Sequence, residues 1–279
     1  MGLRRQRSLS RLITYALLLG GTGIVFIPFW YMLITSFKPQ SYIFEMPPRL
    51  WPQEMTLKNY SEALGKDLFG LYFLNSLLVA VATTTLTVLI SSLLAYAFAR
   101  LKFPGKEPLF YFFLTGMMIP PVMLIIPQFI ITKQLGLLDS HVGLVVVYIT
   151  MNLSMQTFLL RGFFEGIPKE LEEAALIDGA SQWKIFARIV IPLSRPGLAV
   201  VTIFTFLYSW DEFPWAHVAI KETTRRTLPI AIALFQTQHL TEWGQVFAAS
   251  IVALIPVVLV FTIFQRYFIR GIATTGLKG

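Results

Sequence analysis

Five stretches of the chain carry no Asp, Glu, Lys or Arg: Leu12–Phe37, Leu68–Ala99, Pro108–Thr132, Ser140–Leu160 and Trp243–Gln265. Each is long enough to cross about 30 Å of hydrocarbon as a helix. A sixth apolar window, Pro196–Trp210, is too short alone and becomes a span if it continues through Asp211 and Glu212 to about Ile220. The pattern predicts an all-α membrane protein of six transmembrane helices, at about 12–37, 70–99, 108–132, 140–160, 196–220 and 243–265. These lie in one transmembrane domain, 12–268, with a basic N-terminus (1–11) before it and a tail (269–279) after it. The polar connection 161–195 stands out because it carries its own helical pattern.

In that connection Pro168 fits the first position of a helix, where a missing N–H costs nothing. Glu170, Glu172 and Glu173 fall in the opening turns, where the helix dipole favours negative charge. Leu171, Ala174 and Ala175 share a face at i, i+3, i+4 spacing. Gly179 suits a left-handed helix end. Ser181 then caps a second helix whose Trp183, Phe186, Ile189 and Val190 form an apolar stripe, with Pro192 stopping it and Pro196-Gly197 opening the next span. Small Ala174 and Ala175 beside Gly179 let another surface approach the backbone, and Glu173 offers charge to a basic partner. The alternative is an amphipathic helix lying on lipid headgroups. Its acids weigh against that, since interfacial helices are usually basic.

Composition agrees with the membrane reading. The chain is 55% hydrophobic and 14% charged, with a mean hydropathy of +0.65. With the N-terminus in the cytoplasm, cytoplasmic segments hold 15 of the 23 Lys and Arg, among them Arg4, Arg5, Arg7, Arg100, Lys106, Arg161 and Lys184. This positive-inside bias puts the N- and C-termini and the 161–195 loop in the cytoplasm. It also accounts for the net charge of +8 without a nucleic-acid partner. The N-terminus is basic and then apolar, like a secretory signal, but the apolar run is too long, and it reads as an uncleaved first span. There are no cysteines, which excludes disulfides and thiol chemistry.

Other chemistry is sparse. No G-x-x-x-x-G-K-[ST] phosphate loop and no H-E-x-x-H zinc site occurs, and His141, His217 and His239 are scattered. The chain therefore reads as a non-enzyme with no catalytic residue, no metal and no cofactor of its own. No internal repeat is evident.

Three spans hold features that need explaining in lipid. The third has Pro120, Pro121 and Pro127, which bend helices either as structure or as a gate. The fourth has Asn152, Ser154 and Gln156, which either bond across helices or face a solute. The fifth has Tyr208, Trp210, Asp211, Glu212 and Pro214. Asp211 falls about 22 Å along a helix begun at Pro196, past the midplane. Two acids at that depth do not face lipid. Tyr208 and Trp210 offer aromatic stacking faces, and Asp211 or Glu212 offers hydrogen-bond acceptors. The outer loop Lys38–Asp67, rich in proline with a short helix near Leu57–Leu64, is either a rim for a soluble partner or a plain connector. Leu228–Phe235 is apolar and too short to span.

The run Glu173-Ala174-Ala175 with Asp178, Gly179 and Ala180, then Phe186 and Pro192, resembles the cytoplasmic "EAA" loop of ABC-importer permeases. The rest of the chain resembles the second permease subunit of carbohydrate importers of the maltose-transporter type: Ser36-Phe37-Lys38-Pro39, Asn59-Tyr60, Asn75-Ser76, Ala95 to Lys106, Trp210-Asp211-Glu212-Phe213, and the tail. The resemblance implies an inner-membrane, multi-pass permease that moves a sugar or polyol by alternating access. A second homologous permease, two ATP-binding subunits that hold ATP and Mg, and an extracytoplasmic solute-binding protein are its implied partners. Glu170, Leu171, Glu173, Ala174, Ala175, Asp178 and Gly179 are then the ATPase-coupling residues. Gly276, Lys278 and Gly279 are implied to reach the ATPases, although Thr274, Thr275 and Leu277 depart from the commonest tail. Asn152, Gln156, Tyr208, Trp210, Asp211 and Glu212 are candidates for the solute pathway. The family usually has Asn where Asp211 stands. A glycerol-phosphate-type solute and an ion-coupled carrier working without an ATPase are the alternatives.

Overall fold

A computed structural model describes residues 2–65, 68–235 and 241–275, with side chains between residues 11 and 267 within those ranges. The implied tail contacts Gly276, Lys278 and Gly279 lie outside the described residues. The helices are α1 (Gly2–Ser36), α2 (Lys58–Leu64), α3 (Phe69–Arg100), α4 (Lys106–Leu114), α5 (Ile125–Gln134), α6 (His141–Glu165), α7 (Glu170–Ile177), α8 (Gln182–Ile185), α9 (Ile191–Leu193), α10 (Arg195–Asp211), α11 (Pro214–Ala219), α12 (Leu228–Ala233) and α13 (Trp243–Thr275). No strand occurs among the described residues. The fold is all-α, as lipid requires of a chain whose backbone must satisfy itself.

Among the described residues, four helices are long and apolar enough to cross a membrane: Arg11–Ser36, Phe69–Arg100, His141–Glu165 and Trp243–Tyr267. Two bent pairs bring the number to six if each is one span. Lys106–Met118 and Pro121–Gln134 meet at 93°, and Gln182–Leu193 and Arg195–Asp211 meet at 78°. Two sequence expectations change here. The stretch 108–132 is not one helix, because Pro120 and Pro121 cannot continue the i to i−4 ladder and the chain turns through two short 3₁₀ segments. The helix expected to run from 196 through Asp211 and Glu212 to about Ile220 stops at Asp211. Glu212 is extended, at φ −66° and ψ 120°, and Pro214 opens the separate α11.

The chain divides into two compact units. In the first, Met1–Phe69 with Ile232–Leu254, α1 is exposed from residue 11 to residue 29 and becomes buried at Ile34, Thr35 and Ser36. The segment after it is tied down by polar side chains. Lys38, only 1% exposed, pairs with Glu45 at 3.3 Å and donates to the Arg49 carbonyl at 2.9 Å. Asn59 on α2 donates to the Ser36 and Lys38 carbonyls, each at 2.8 Å. Gly244 lies so close to Asn59 that a Cβ there would collide with its amide.

The second unit, Gly70–Ala231 with Ile255–Gly279, packs α6 against α10. Gly197 makes that approach possible, since a Cβ there would meet the Phe163 ring. Buried clusters form toward opposite ends of α6. One gathers Leu144, Tyr148, Val79, Trp215 and Ile230, and the other Leu160, Phe164, Ala95, Phe186 and Val201. The loop after α11 is held by side chains from elsewhere. Asn75 donates to the Thr224 and Arg226 carbonyls at 2.9 and 3.0 Å, and the Ser76 hydroxyl accepts from the Leu228 amide at 2.8 Å. Asp139, at φ 55°, accepts from the amides of Lys221 and Glu222 at 3.0 and 2.9 Å. Those amides, chiefly that of Glu222, hold its carboxyl below the usual value. The contact is therefore complete above the ordinary carboxylate range and fades as pH falls through the lowered value.

Breaking a buried ion pair by removing one partner costs about 3–5 kcal/mol, and an exposed pair is worth under about 1. Lys38→Ala is expected to lower thermal stability in detergent by about 3 kcal/mol. Lys58→Ala, whose pair with Glu62 is 73% and 42% exposed, is expected to change it by less than about 0.5. Equal melting temperatures for the two variants would contradict the assignment.

Candidate functional site

The connection between α6 and α10 builds one candidate surface. Helix α7 begins at Glu170, two residues after Pro168, which therefore sits before the helix rather than in its first turn. The Lys169 carbonyl accepts from the Glu172 and Glu173 amides at 2.9 and 3.0 Å. Glu170, Glu172 and Glu173 occupy the first turn, where the amide ends favour negative charge. The other end closes with two crossed bonds. The Ala180 amide reaches the Ala175 carbonyl at 2.9 Å and the Gly179 amide reaches Leu176 at 3.0 Å. That is a Schellman pattern, and it needs a left-handed residue, which Gly179 supplies at φ 78°.

Ser181 caps the second helical stretch by accepting from the Lys184 amide at 3.3 Å. The stretch does not stop at Pro192. It opens to a π turn at Phe186–Val190, where the Ile191 amide reaches back to the Phe186 carbonyl, and continues through α9. The buried stripe is Ile185, Phe186 and Val190. Trp183, expected in that stripe, is 65% exposed, because Ile185 takes the inward position.

The two faces of α7 differ in chemistry. Glu170, Glu173, Ala174 and Asp178 are exposed, with Leu171, Leu176 and Ile177, the last 87% exposed. Glu172 turns inward. It pairs with Arg100 at the end of α3 at 2.7 Å, the two side chains 11% and 5% exposed. The Arg100 Nε–H does not aim along that line, so the contact is ionic rather than an aligned hydrogen bond. Ala175 also packs inward, against the Leu160–Phe186 cluster. Its small side chain lets α7 sit close to its own unit, whereas Ala174 alone of the pair presents a small outward surface. The sequence counted Glu172 only among the acids of an opening turn and Arg100 only among the cytoplasmic basic residues. The signal available was an unbroken acidic turn with one acid in register with the inward Ala175, at i+3.

A second candidate site is a cavity of about 400 Å³ where the break after Met118 faces α6, α10 and α11. Pro121, Val122, Ile125, Met151, Tyr208 and Asp211 are among its walls, with Glu212 at its edge. Tyr208 donates to the Met151 sulfur at 2.8 Å and meets Tyr148 edge-on, ring centres 6.1 Å apart. Asp211 has no hydrogen bond or ion pair among the described residues and lines the cavity. Glu212 is occupied. Its two oxygens accept from the Trp215 and Ala216 amides at 2.6 and 3.0 Å, and from the Tyr148 hydroxyl at 2.5 Å. It closes the open end of α11, which leaves Asp211 as the carboxylate of this cavity without a partner among the described residues.

The remaining pathway candidates lie away from this cavity. Trp210 is buried, stacked on Phe206 and edge-on to Phe73 at 5.4 Å, which leaves its faces unavailable to a sugar. Asn152 donates back to the Tyr148 carbonyl in its own helix at 2.8 Å. Gln156 is buried and does not line the cavity. Of the polar residues Asn152, Ser154 and Gln156, Ser154 bonds across helices, donating to the Phe113 carbonyl at 3.0 Å. Nothing in the sequence marks Met151 as a wall residue. Among the described residues no His, Asp and Glu group could hold a metal.

A family model described as "Binding-protein-dependent transport system inner membrane component" matches residues 87–274. The inner membrane ABC transporter permease protein YcjP of Escherichia coli (strain K12) is 35% identical over 277 residues, 98% of this chain and 99% of that one. The diacetylchitobiose uptake system permease protein NgcG of Streptomyces coelicolor is 35% identical over 256 residues, 91% of this chain and 84% of that one. A bacterial ABC transporter involved in the import of the acidic polysaccharide alginate shares the fold, with a TM-score of 0.80 at 24% identity over 96% of this chain and 99% of that chain. A match to well over half the sequence, and relatives aligned along nearly their full length, place this chain in the family of inner-membrane permease components of binding-protein-dependent transport systems.

Proposed function

We propose that this chain is one permease of an ABC importer for a neutral sugar or related polyol, and that α7 is where separate ATP-binding subunits act on it. The observation that carries this is the split of α7. Its outward face is acidic, small and apolar with no cover, and its inward face is anchored by Glu172 and Ala175. A lone carrier has no use for a built, uncovered surface of this kind, and family membership disfavours the ion-coupled alternative.

In the proposed mechanism a solute-binding protein delivers solute, a second homologous permease completes the pathway, and two ATP-binding subunits hold ATP and Mg. Glu173 meets a basic group on one of them, Ala174 allows close approach, and Leu171 and Ile177 are buried in the contact. Glu170 and Asp178 flank it. When the ATPases close on ATP, α7 moves with them and biases which side of the pathway is open, a switch between two packings.

The cavity beside α10 supports a neutral rather than an anionic solute. Its walls include Asp211 and Glu212 and no basic residue, so a phosphorylated polyol would meet only repulsion there. Apolar and aromatic walls with one free carboxylate suit the C–H faces and hydroxyls of a sugar. The name of the diacetylchitobiose relative points the same way.

Two tests follow. A reversed charge at a docking contact costs several kcal/mol, and each 1.4 kcal/mol is about tenfold in affinity. Glu173→Arg is expected to reduce recovery of the ATP-binding subunit with the tagged chain by at least about tenfold while the second permease stays bound. Gly179→Val, which forces a β-branched residue to φ 78°, is expected to insert normally but to uncouple ATP hydrolysis from uptake. Tight, substrate-stimulated ATPase in that variant would contradict the proposal. At the cavity, Asp211→Asn is expected to leave the melting temperature unchanged and slow uptake. Glu212→Ala is expected to lower stability by about 1–3 kcal/mol through loss of the α11 cap. Unchanged uptake in Asp211→Asn would remove that carboxylate from the pathway.

A further inference from the structure

The last turn of α3 touches the 161–195 connection before, within and after α7. Tyr96 and Arg100 stand at i and i+4, on one face. The Arg100 guanidinium donates to the carbonyls of Phe164 and Ile167, both at 2.6 Å, where α6 ends. Its Nε pairs with Glu172 on α7 at 2.7 Å. The Tyr96 hydroxyl donates to the side-chain oxygen of Gln182, the first residue of α8, at 2.7 Å. Tyr96 also packs on Phe186, ring centres 5.1 Å apart. The end of α3 is itself closed by Lys106, which donates to the Leu101 carbonyl at 3.3 Å.

The Arg100 contacts are charge-assisted, with the Arg100 and Glu172 side chains 5% and 11% exposed, and together with those of Tyr96 they grip three separate segments. Arg100 suits the position because its planar fork bonds several acceptors at once and its charge is permanent. A surface that merely lies against lipid needs no such grip. A surface that is pushed needs a path for the push, and buried ionic contacts resist sliding because separating them strands a charge in a dry site.

We infer that Arg100 and Glu172 are positioning residues that make α7 and α3 one rigid body, so that α3 carries the displacement of the docking helix into the membrane. This rests on the reading of α7 as the ATPase contact. Glu172 and Glu173, adjacent in sequence, then have separate tasks: Glu173 holds the ATPase, and Glu172 passes its motion on. Loss of Glu172 leaves the ATPase bound and its motion wasted.

The test uses the complete complex in proteoliposomes, with uptake and ATP hydrolysis measured together. Glu172→Gln is expected to retain the ATP-binding subunit at wild-type level while uptake per ATP falls at least about tenfold. Glu172→Asp, which keeps the charge, is expected to recover most of that loss. Wild-type uptake per ATP in Glu172→Gln overturns the inference. If Glu173→Arg also keeps the ATPase, the docking reading has failed rather than the coupling of α7 to α3 alone.

A second measurement does not depend on Glu172→Gln folding. Because the chain has no cysteine, a Tyr96→Cys and Gln182→Cys variant can be joined by a short bifunctional maleimide at one site only. Uptake per ATP after cross-linking is expected to match that of the same variant without cross-linker, since a rigid contact loses nothing by being locked. Abolished uptake after cross-linking means that the loop must slide on α3, and the inference is wrong.

Discussion

Wherever a helix stops in or near a membrane, its free amides and carbonyls must find partners within the protein. This constraint explains several polar residues that look out of place. Glu212 serves the amides that open α11, and Asn75 serves carbonyls of the loop after it. Asp139 takes two amides of that same loop. Asn59 takes the carbonyls that end α1, and Arg100 takes those that end α6. These helix ends are matched by polar side chains, four of them (Asn59, Asn75, Arg100 and Asp139) from a different segment. The breaks are thereby fixed in place, and what lies between them becomes a shaped surface.

Two such surfaces follow. At one end of α6, the carbonyls closed by Arg100 set the start of the connection, and the same guanidinium turns Glu172 inward. That single orientation decides which residues of α7 face out: Glu173, Ala174 and Ile177 in one patch, bounded by a left-handed turn at Gly179. At the other end, the break after Asp211 is sealed by Glu212 and Tyr148. With Glu212 consumed, Asp211 remains the one carboxylate of the cavity without a hydrogen bond or ion pair among the described residues, beside Tyr208, Met151 and prolines. Both readings take their force from knowing which acid is already spent, and in each neighbouring pair of acids one is structural and the other is available.

The sequence carried the broad outline because membrane spans are local and compositional. The charge-free windows near 12–37, 70–99, 140–160 and 243–265 coincide with long helices, and Gly179 announced its turn through a rule about a single residue. Failures came where a partner lies far along the chain. Glu172 and Glu173 look alike in sequence, and only Arg100, across a connection of about seventy residues, tells them apart. Glu212 read as a pathway acid because an acid at that depth calls for an explanation, and the amides that explain it appear only once the helix breaks. The same break removed the expected continuation to Ile220. Trp210 offered an aromatic face, but Phe73 and Phe206 cover it. Ala175 matched a family pattern at the right spacing, yet its direction follows from packing against Leu160 and Phe186, which periodicity over eight residues cannot fix.

The account turns on the outward face of α7 meeting an ATP-binding subunit. The most direct measurement places a single cysteine in this cysteine-free chain at Ile177, and in a parallel variant at Ala175. Each is fitted with a short photo-activated cross-linker and irradiated in membranes holding the whole transporter. The account predicts a cross-link from position 177 to the ATP-binding subunit, and from position 175 only links within the chain itself. Cross-links from position 177 to lipid alone, with none to an ATP-binding subunit, would contradict it.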